Sequence, residues 1–138
     1  MKNKQLNDVE KVIKIFVDNF NIRPPIVKIK DVSRGCSSSG AITLPEWIFV
    51  DKWCRENIKK ANKVLKELKM KTIKATPQQY REFYIAHELT HYYLQSLSHR
   101  KPFYTILKNL GYDIRFDIFY MKKFVLEELK NDYKNYKR

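Results

Sequence analysis

Apolar residues near the start of the chain recur every three or four positions, which is the spacing of one helix face. They are Leu6, Val9, Ile13, Phe16, Val17 and Phe20. This pattern predicts an opening helix of about four turns, and Pro24-Pro25 stops it. Residues 26–30 then alternate as in a strand, residues 37–40 predict a turn, and residues 41–50 predict a second extended segment.

Residues 51–71 show the next helical pattern, with apolar positions on one side and lysines on the other. The apolar positions are Trp53, Ile58, Ala61, Leu65 and Leu68. The clearest start signal follows, because Thr76 can cap a helix, Pro77 suits its first position and Gln79 completes a capping box. We therefore expect a helix over residues 77–97.

The last third of the chain also predicts helices. Residues 102–110 form a shorter helical pattern that ends at Gly111, which favours a left-handed stop. Residues 112–116 fit a strand or a helix and stay open, and a helix is expected from about residue 117 onward. The size of the chain and the mixture of elements predict a single α+β domain over residues 1–138.

Charge changes the expectation about partners. The chain has 28 basic and 15 acidic residues and a net charge of +13, which favours anionic partners such as nucleic acid. Residues 59–74 hold seven lysines against one acidic residue, Glu67, a net charge of +6. A solvated helix face is the favoured interpretation of this run, and nucleic-acid contact through the lysine-rich helix is the alternative.

Composition excludes other classes. A hydrophobic content of 43% indicates a folded protein. Cys36 and Cys54 form no CxxC pair, which excludes a cysteine-built zinc site, and nothing requires a disulfide between them. No apolar stretch reaches membrane-spanning length and no signal-peptide core precedes the first helix, so we expect a cytoplasmic protein without a membrane partner.

The candidate chemistry lies in the helix expected over residues 77–97. His87 and His91 are four positions apart, so both imidazoles lie on one face, where they can bind the same metal ion. Glu88 is slightly rotated from them, so its carboxylate can reach a water on the metal rather than the metal itself. This predicts a Zn²⁺ site with Glu88 as the general base, which passes the proton later to a leaving amine.

A zinc hydrolase usually needs a third protein ligand, and His99 is the leading candidate. In an unbroken helix it would lie about 12 Å beyond His91, so the chain must turn between them. Serines at 96 and 98 are poor interior helix residues and Pro102 favours the start of a new helix, which makes a turn plausible. Two acidic residues stay open as alternative ligands: Asp113 and Glu128.

Residues 86–91 followed by His99 and Phe103 resemble the SprT-like zincins over about residues 40–111. In those families the second motif is a His, usually followed by Gly, with a Phe four residues later; here Arg100 replaces the Gly and no cysteine ribbon follows. The resemblance implies an N-terminal helix, a small sheet whose edge strand guides extended substrate, the HExxH helix and a ligand-bearing helix. It implies a metallopeptidase site made of His87, His91, His99 and Glu88.

A second resemblance concerns residues 83–94, which are similar to the active-site helix of ImmA/IrrE-like peptidases. That family takes its third metal ligand from a later acidic residue, so this resemblance would favour Glu128 as the third ligand. Both resemblances imply a zincin.

The substrate side is predicted from residues 41–44, because Pro45 cannot donate to a strand ladder and so indicates an edge strand. Such an edge can pair with an extended protein or peptide substrate, and a plain sheet edge is the alternative. The candidates for stabilising an oxyanion are Tyr92, Tyr93, Tyr104 and Arg100.

The sequence thus favours a zinc-dependent metallopeptidase. Its rival is a basic nucleic-acid-binding adaptor with a structural or vestigial metal site.

Overall fold

The structure is a computed structural model that describes residues 3–137, with side chains described for residues 5–119 and 121–130. Its elements are α1 (Asn3–Phe20), β1 (Ile26–Lys30), β2 (Cys36–Ser38), β3 (Ala41–Pro45), α2 (Asp51–Glu67), α3 (Pro77–Leu94), α4 (Lys101–Asn109) and α5 (Ile118–Lys137). Single 3-10 turns at Glu46–Phe49 and Ile114–Asp117 precede α2 and α5. These elements confirm the predicted α+β class, and no helix in the described part of the chain is long and apolar enough to cross a membrane.

The sheet corrects the predicted edge strand. Its order is β1-β3-β2, with β3 parallel to β1 and antiparallel to β2, so residues 41–44 lie in the central strand. Pro45 is tolerated there because it lies beyond the last β2 pair, Cys36 with Thr43, and removes no bond from that ladder. The edge strands are instead β1 and β2. The segment of β2 was predicted as a turn, and only its end turns, at Gly40 with φ +80°.

The start of α3 is fixed by its capping box, as predicted. The Thr76 hydroxyl accepts from the Gln79 N–H at 3.2 Å, and the Gln79 side chain accepts from the Thr76 N–H at 2.9 Å. The helix ends at Leu94, three residues earlier than expected, because Gln95 adopts a left-handed φ of 50°. The capping box therefore fixes the start of α3, and the left-handed Gln95 fixes its end.

The core lies where α1, α2 and the sheet pack against α3. The apolar residues next to the two motif histidines on α3, Ile85, Ala86 and Leu89, are fully buried. On α2 the buried side chains are Cys54, Ile58, Ala61 and Leu65. Trp53 was expected with this set and is not part of it: the next residue, Cys54, takes the buried position, and the indole is 48% exposed.

The two cysteines are free thiols in different environments. Cys36 is exposed on β2, and Cys54 is buried on α2 with its thiol 3.0 Å from the Ile48 carbonyl oxygen. Burial raises the pKa of Cys54 to about 11. The two residues form no disulfide.

Arg81 on α3 joins three other elements from a buried position. Its guanidinium donates to the Ile48 carbonyl oxygen at 2.7 Å and to the Asp51 carboxylate at 2.6 Å, and it lies 3.6 Å from the Asp8 carboxylate. The Arg81 side chain is 2% exposed and that of Asp8 is 11% exposed, whereas the Asp51 side chain is half exposed. Arg81 therefore holds α3 against α1, α2 and the turn before α2.

We expect Arg81→Met to lower the free energy of unfolding by about 3 kcal/mol, because it leaves buried acceptors without their cation. Urea unfolding measures the change. Arg55→Met on the exposed side of α2 is the matched control and is expected to change stability by less than about 0.5 kcal/mol. Equal effects of the two substitutions would contradict a structural role for the buried guanidinium.

Candidate metal centre

Three imidazoles converge at one point. The Nε2 atoms are 3.2 Å apart for His87 and His91, 3.0 Å for His91 and His99, and 3.1 Å for His87 and His99. Among the residues with described side chains, these three form the only group of three candidate ligands close enough to share an ion. The structure therefore brings together the three residues predicted as ligands.

The turn that delivers His99 was also predicted. After the left-handed Gln95, the Ser96 N–H bonds back to the His91 carbonyl oxygen at 3.3 Å, and the chain reverses before α4 begins. Phe103, in the first turn of α4, then packs against all three imidazoles. Its ring centroid lies 4.8, 4.5 and 5.0 Å from those of His87, His91 and His99. This buried ring fixes the three side chains on one side.

Hydrogen bonds decide which nitrogens carry protons. Nδ1 of His91 lies 2.8 Å from the Ser96 carbonyl oxygen, which can only accept, so this nitrogen is the donor. Nδ1 of His87 lies 3.0 Å from the Asp117 carboxylate and donates to it in the same way. In the neutral rings the Nε2 lone pairs of both residues therefore point toward the common centre.

Such a convergence is repulsive unless a proton or a cation lies between the rings. Three nitrogens about 2.0–2.1 Å from a tetrahedral zinc ion lie about 3.3 Å apart, close to the observed spacing. Burial and the neighbouring His87 lower the pKa of His91 to about 4, and burial also lowers the pKa of His99. Two unprotonated imidazoles are therefore present at neutral pH, and the residues fit a divalent ion.

Asp117 is the member of this centre that sequence reasoning missed. Burial works to lower the pKa of His87, but the Asp117 carboxylate beside it outweighs burial and raises that pKa. The Tyr104 hydroxyl donates to the same carboxylate at 3.1 Å and holds it in place. The only sequence signal was an acidic residue between two apolar ones, Phe116 and Ile118, which also suits a helix start.

Glu88 lies beside the histidines and is 5% exposed. Its Oε2 atom has no hydrogen-bond partner among the described residues, although it is buried. Burial raises the pKa of Glu88 to about 7, against the opposing effect of His87. Unpaired buried carboxylate oxygens are costly, so this one is a candidate for chemistry rather than for stability.

Gly35, just before β2, lies directly against Glu88. A Cβ atom on Gly35 would come within 2.8 Å of the Thr43 carbonyl oxygen and 3.2 Å of the Glu88 carboxyl carbon. The Gly35 N–H donates to the Tyr84 hydroxyl at 2.8 Å, which ties this segment to α3. Only glycine fits here without a shift of the sheet or of Glu88.

The two acidic alternatives for the third ligand are engaged elsewhere. The Asp113 carboxylate caps the 3-10 turn and pairs with the Arg115 guanidinium at 2.6 Å. Glu128 is 5% exposed and its carboxylate lies 3.4 Å from the Lys108 ammonium. Neither belongs to the three-histidine group.

The oxyanion candidates have other contacts. Tyr104 is fully buried and donates to Asp117, the Tyr92 hydroxyl donates to the Arg23 carbonyl oxygen at 2.7 Å, and Tyr93 stacks on Phe20 with ring centroids 4.5 Å apart. Arg100 is exposed at the start of α4. Of these four residues, Tyr92 lines the pocket next to His91.

No family model, curated protein or solved structure matches the chain. The SprT-like and ImmA/IrrE-like resemblances therefore stay predictions that depend on the motif residues themselves.

We expect Asp117→Asn to weaken zinc binding by roughly tenfold or more, because a supporting carboxylate orients a ligand imidazole and raises its basicity. Competition with a chromophoric chelator measures the affinity. Asp113→Asn, in the same 3-10 turn, keeps the cap and is the matched control. A loss of affinity confined to Asp113→Asn would contradict this assignment and favour the acidic alternative ligand.

Proposed function

We propose that the protein is a zinc-dependent metallopeptidase in which His87, His91 and His99 hold the ion and Glu88 is the general base. The observation that carries the proposal is the convergence of three Nε2 atoms beside an unpaired buried carboxylate. A zinc ion held there supplies the Lewis acidity that hydrolysis of a peptide bond needs. The His99 position supports the ligand set of the SprT-like resemblance over that of the ImmA/IrrE-like one.

The residues around the proposed zinc site have different roles in the proposed hydrolysis. Asp117 keeps the proton of His87 on Nδ1, and the Ser96 carbonyl does the same for His91, so both Nε2 atoms stay available. Glu88, with a pKa near 7, accepts a proton at its carboxylate at neutral pH and can return it to a leaving amine. The packed ring of Phe103 excludes water from the far side of the imidazoles.

The surface beside His91 suits an extended substrate. A pocket of about 280 Å³ opens between the β2–β3 turn and the end of α3, where His91, Ser37 and Leu97 are among its lining residues. The outer edge of β2 borders it and offers main-chain groups that can pair with a peptide of any sequence. This supports a peptide or protein as substrate.

A purely structural zinc site fits the same residues less well. Structural sites are usually closed by four protein ligands, whereas three candidate ligands converge here among the described side chains. In a purely structural site, the buried carboxylate of Glu88 would have no function. We therefore favour the metallopeptidase over a nucleic-acid-binding adaptor with a structural metal site.

Glu88→Gln is expected to retain zinc and lose hydrolysis by about 100-fold or more, because the amide cannot accept the proton. Zinc-dependent cleavage of a mixed peptide library, followed by mass spectrometry, measures the activity, and metal analysis measures the zinc. His99→Ala is the companion variant and is expected to lose both. Undiminished cleavage by zinc-loaded Glu88→Gln would rule out this general base.

Gly35→Ala is expected to lower kcat by roughly tenfold while zinc affinity stays unchanged, since the new methyl group crowds the Thr43 carbonyl oxygen and the Glu88 carboxyl group but touches no histidine. Ser33→Ala, in the exposed loop that precedes β2 and outside the pocket lining, is the control and is expected to keep full activity. A Gly35→Ala enzyme with normal kcat would show that the close approach has no catalytic importance.

A further inference from the structure

The side of α2 that faces solvent carries a dense positive charge. We define the lysine face as five exposed residues of this helix: Lys52, Lys59, Lys60, Lys63 and Lys66. The exposed lysines at 69, 71 and 74 extend the charge beyond the helix end. Glu56 and Glu67 are the exposed acidic residues of the helix apart from Asp51, which is paired with Arg81. The lysine face is therefore strongly cationic.

An exposed indole borders the lysine face. Trp53 is 48% exposed, and the Lys52 ammonium lies 5.2 Å from the centroid of its ring. Because Lys60 follows Trp53 by seven residues, the two lie about two turns apart on nearly the same line of the helix. The ring thus lies next to the cations of the lysine face.

We propose that the lysine face and Trp53 bind single-stranded nucleic acid, with the lysines on phosphates and the indole stacked on a base. Cationic surfaces with exposed aromatic rings recognise single strands in this way, since every base presents a π-face. A paired base is already stacked within its duplex and does not offer that face. The proposal is independent of the metal centre.

The packing of α2 argues against an anionic membrane as the partner. A helix that lies in a membrane surface buries an apolar side among the lipids. The apolar side of α2, with Ile58, Ala61 and Leu65, is already buried in the core. What remains outside is charge and one ring, which suits a flexible polyanion carrying aromatic bases.

The first test is fluorescence anisotropy of a labelled 20-nucleotide oligothymidylate at several salt concentrations, with the intact chain. In Lys59→Gln/Lys63→Gln/Lys66→Gln, affinity at low salt is expected to fall roughly tenfold and the salt slope to flatten by about 2, as each lost phosphate contact removes about 0.7. The control Lys28→Gln/Lys30→Gln/Lys123→Gln removes the same charge from other exposed lysines. It is expected to change affinity less than about threefold.

The second test uses the indole itself. The oligonucleotide is expected to quench the tryptophan fluorescence of the wild type and to leave that of Trp53→Phe nearly unchanged, because Trp47 is held by a hydrogen bond to the Ser33 carbonyl oxygen at 3.1 Å. Trp53→Ala is expected to weaken binding by about fivefold or more. Circular dichroism confirms that each variant is folded.

Several outcomes would overturn the proposal. They are an equal loss in both lysine triple variants, full affinity in Trp53→Ala, equal binding of a duplex of the same length, and binding of phosphatidylserine vesicles without binding of the oligonucleotide. Glu88→Gln is expected to bind the oligonucleotide like the wild type. Failure of the peptidase proposal therefore leaves this one intact, and the reverse also holds.

Discussion

Two hydrogen bonds on the far sides of the imidazoles govern the rest of the site. Ser96 and Asp117 each hold a proton on Nδ1, and this forces the opposite lone pairs of His91 and His87 to face each other. The fold must then keep three mutually repelling nitrogens together, a task shared by the packed ring of Phe103 and the turn that brings in His99. Three side chains in this arrangement could hold a cation.

The polar residues of α3 are arranged around that requirement. Arg81, six residues before His87, donates to the Ile48 carbonyl oxygen and the Asp51 carboxylate and fixes the helix in place. Glu88 differs from Arg81, because one of its carboxylate oxygens is buried without a hydrogen-bond partner among the described residues. The fold thus places a well-satisfied buried charge where position matters and leaves a poorly satisfied one where reactivity is expected.

Local sequence signals predicted part of the fold and part of the candidate site. The capping box at Thr76, the four-residue spacing of the motif and the turn before His99 depend on neighbours in sequence, and each is where the pattern indicated. Asp117 and Gly35 could not be found in the same way, because their meaning comes from contacts with α3 across about 30 to 50 residues. The predicted edge position of residues 41–44 was wrong for the same reason. Pro45 shows that its own N–H is missing, but it does not show that the neighbouring strand ends before it.

The early end of α3 has a consequence for how the protein folds. Because the left-handed Gln95 breaks the helix, the third imidazole comes from the loop between α3 and α4. Any ion that binds all three rings therefore ties this loop to α3. Because the ion would bind only the folded chain, it would stabilise the fold against unfolding. The metal-loaded and metal-free chains would therefore differ in thermal stability as well as in chemistry.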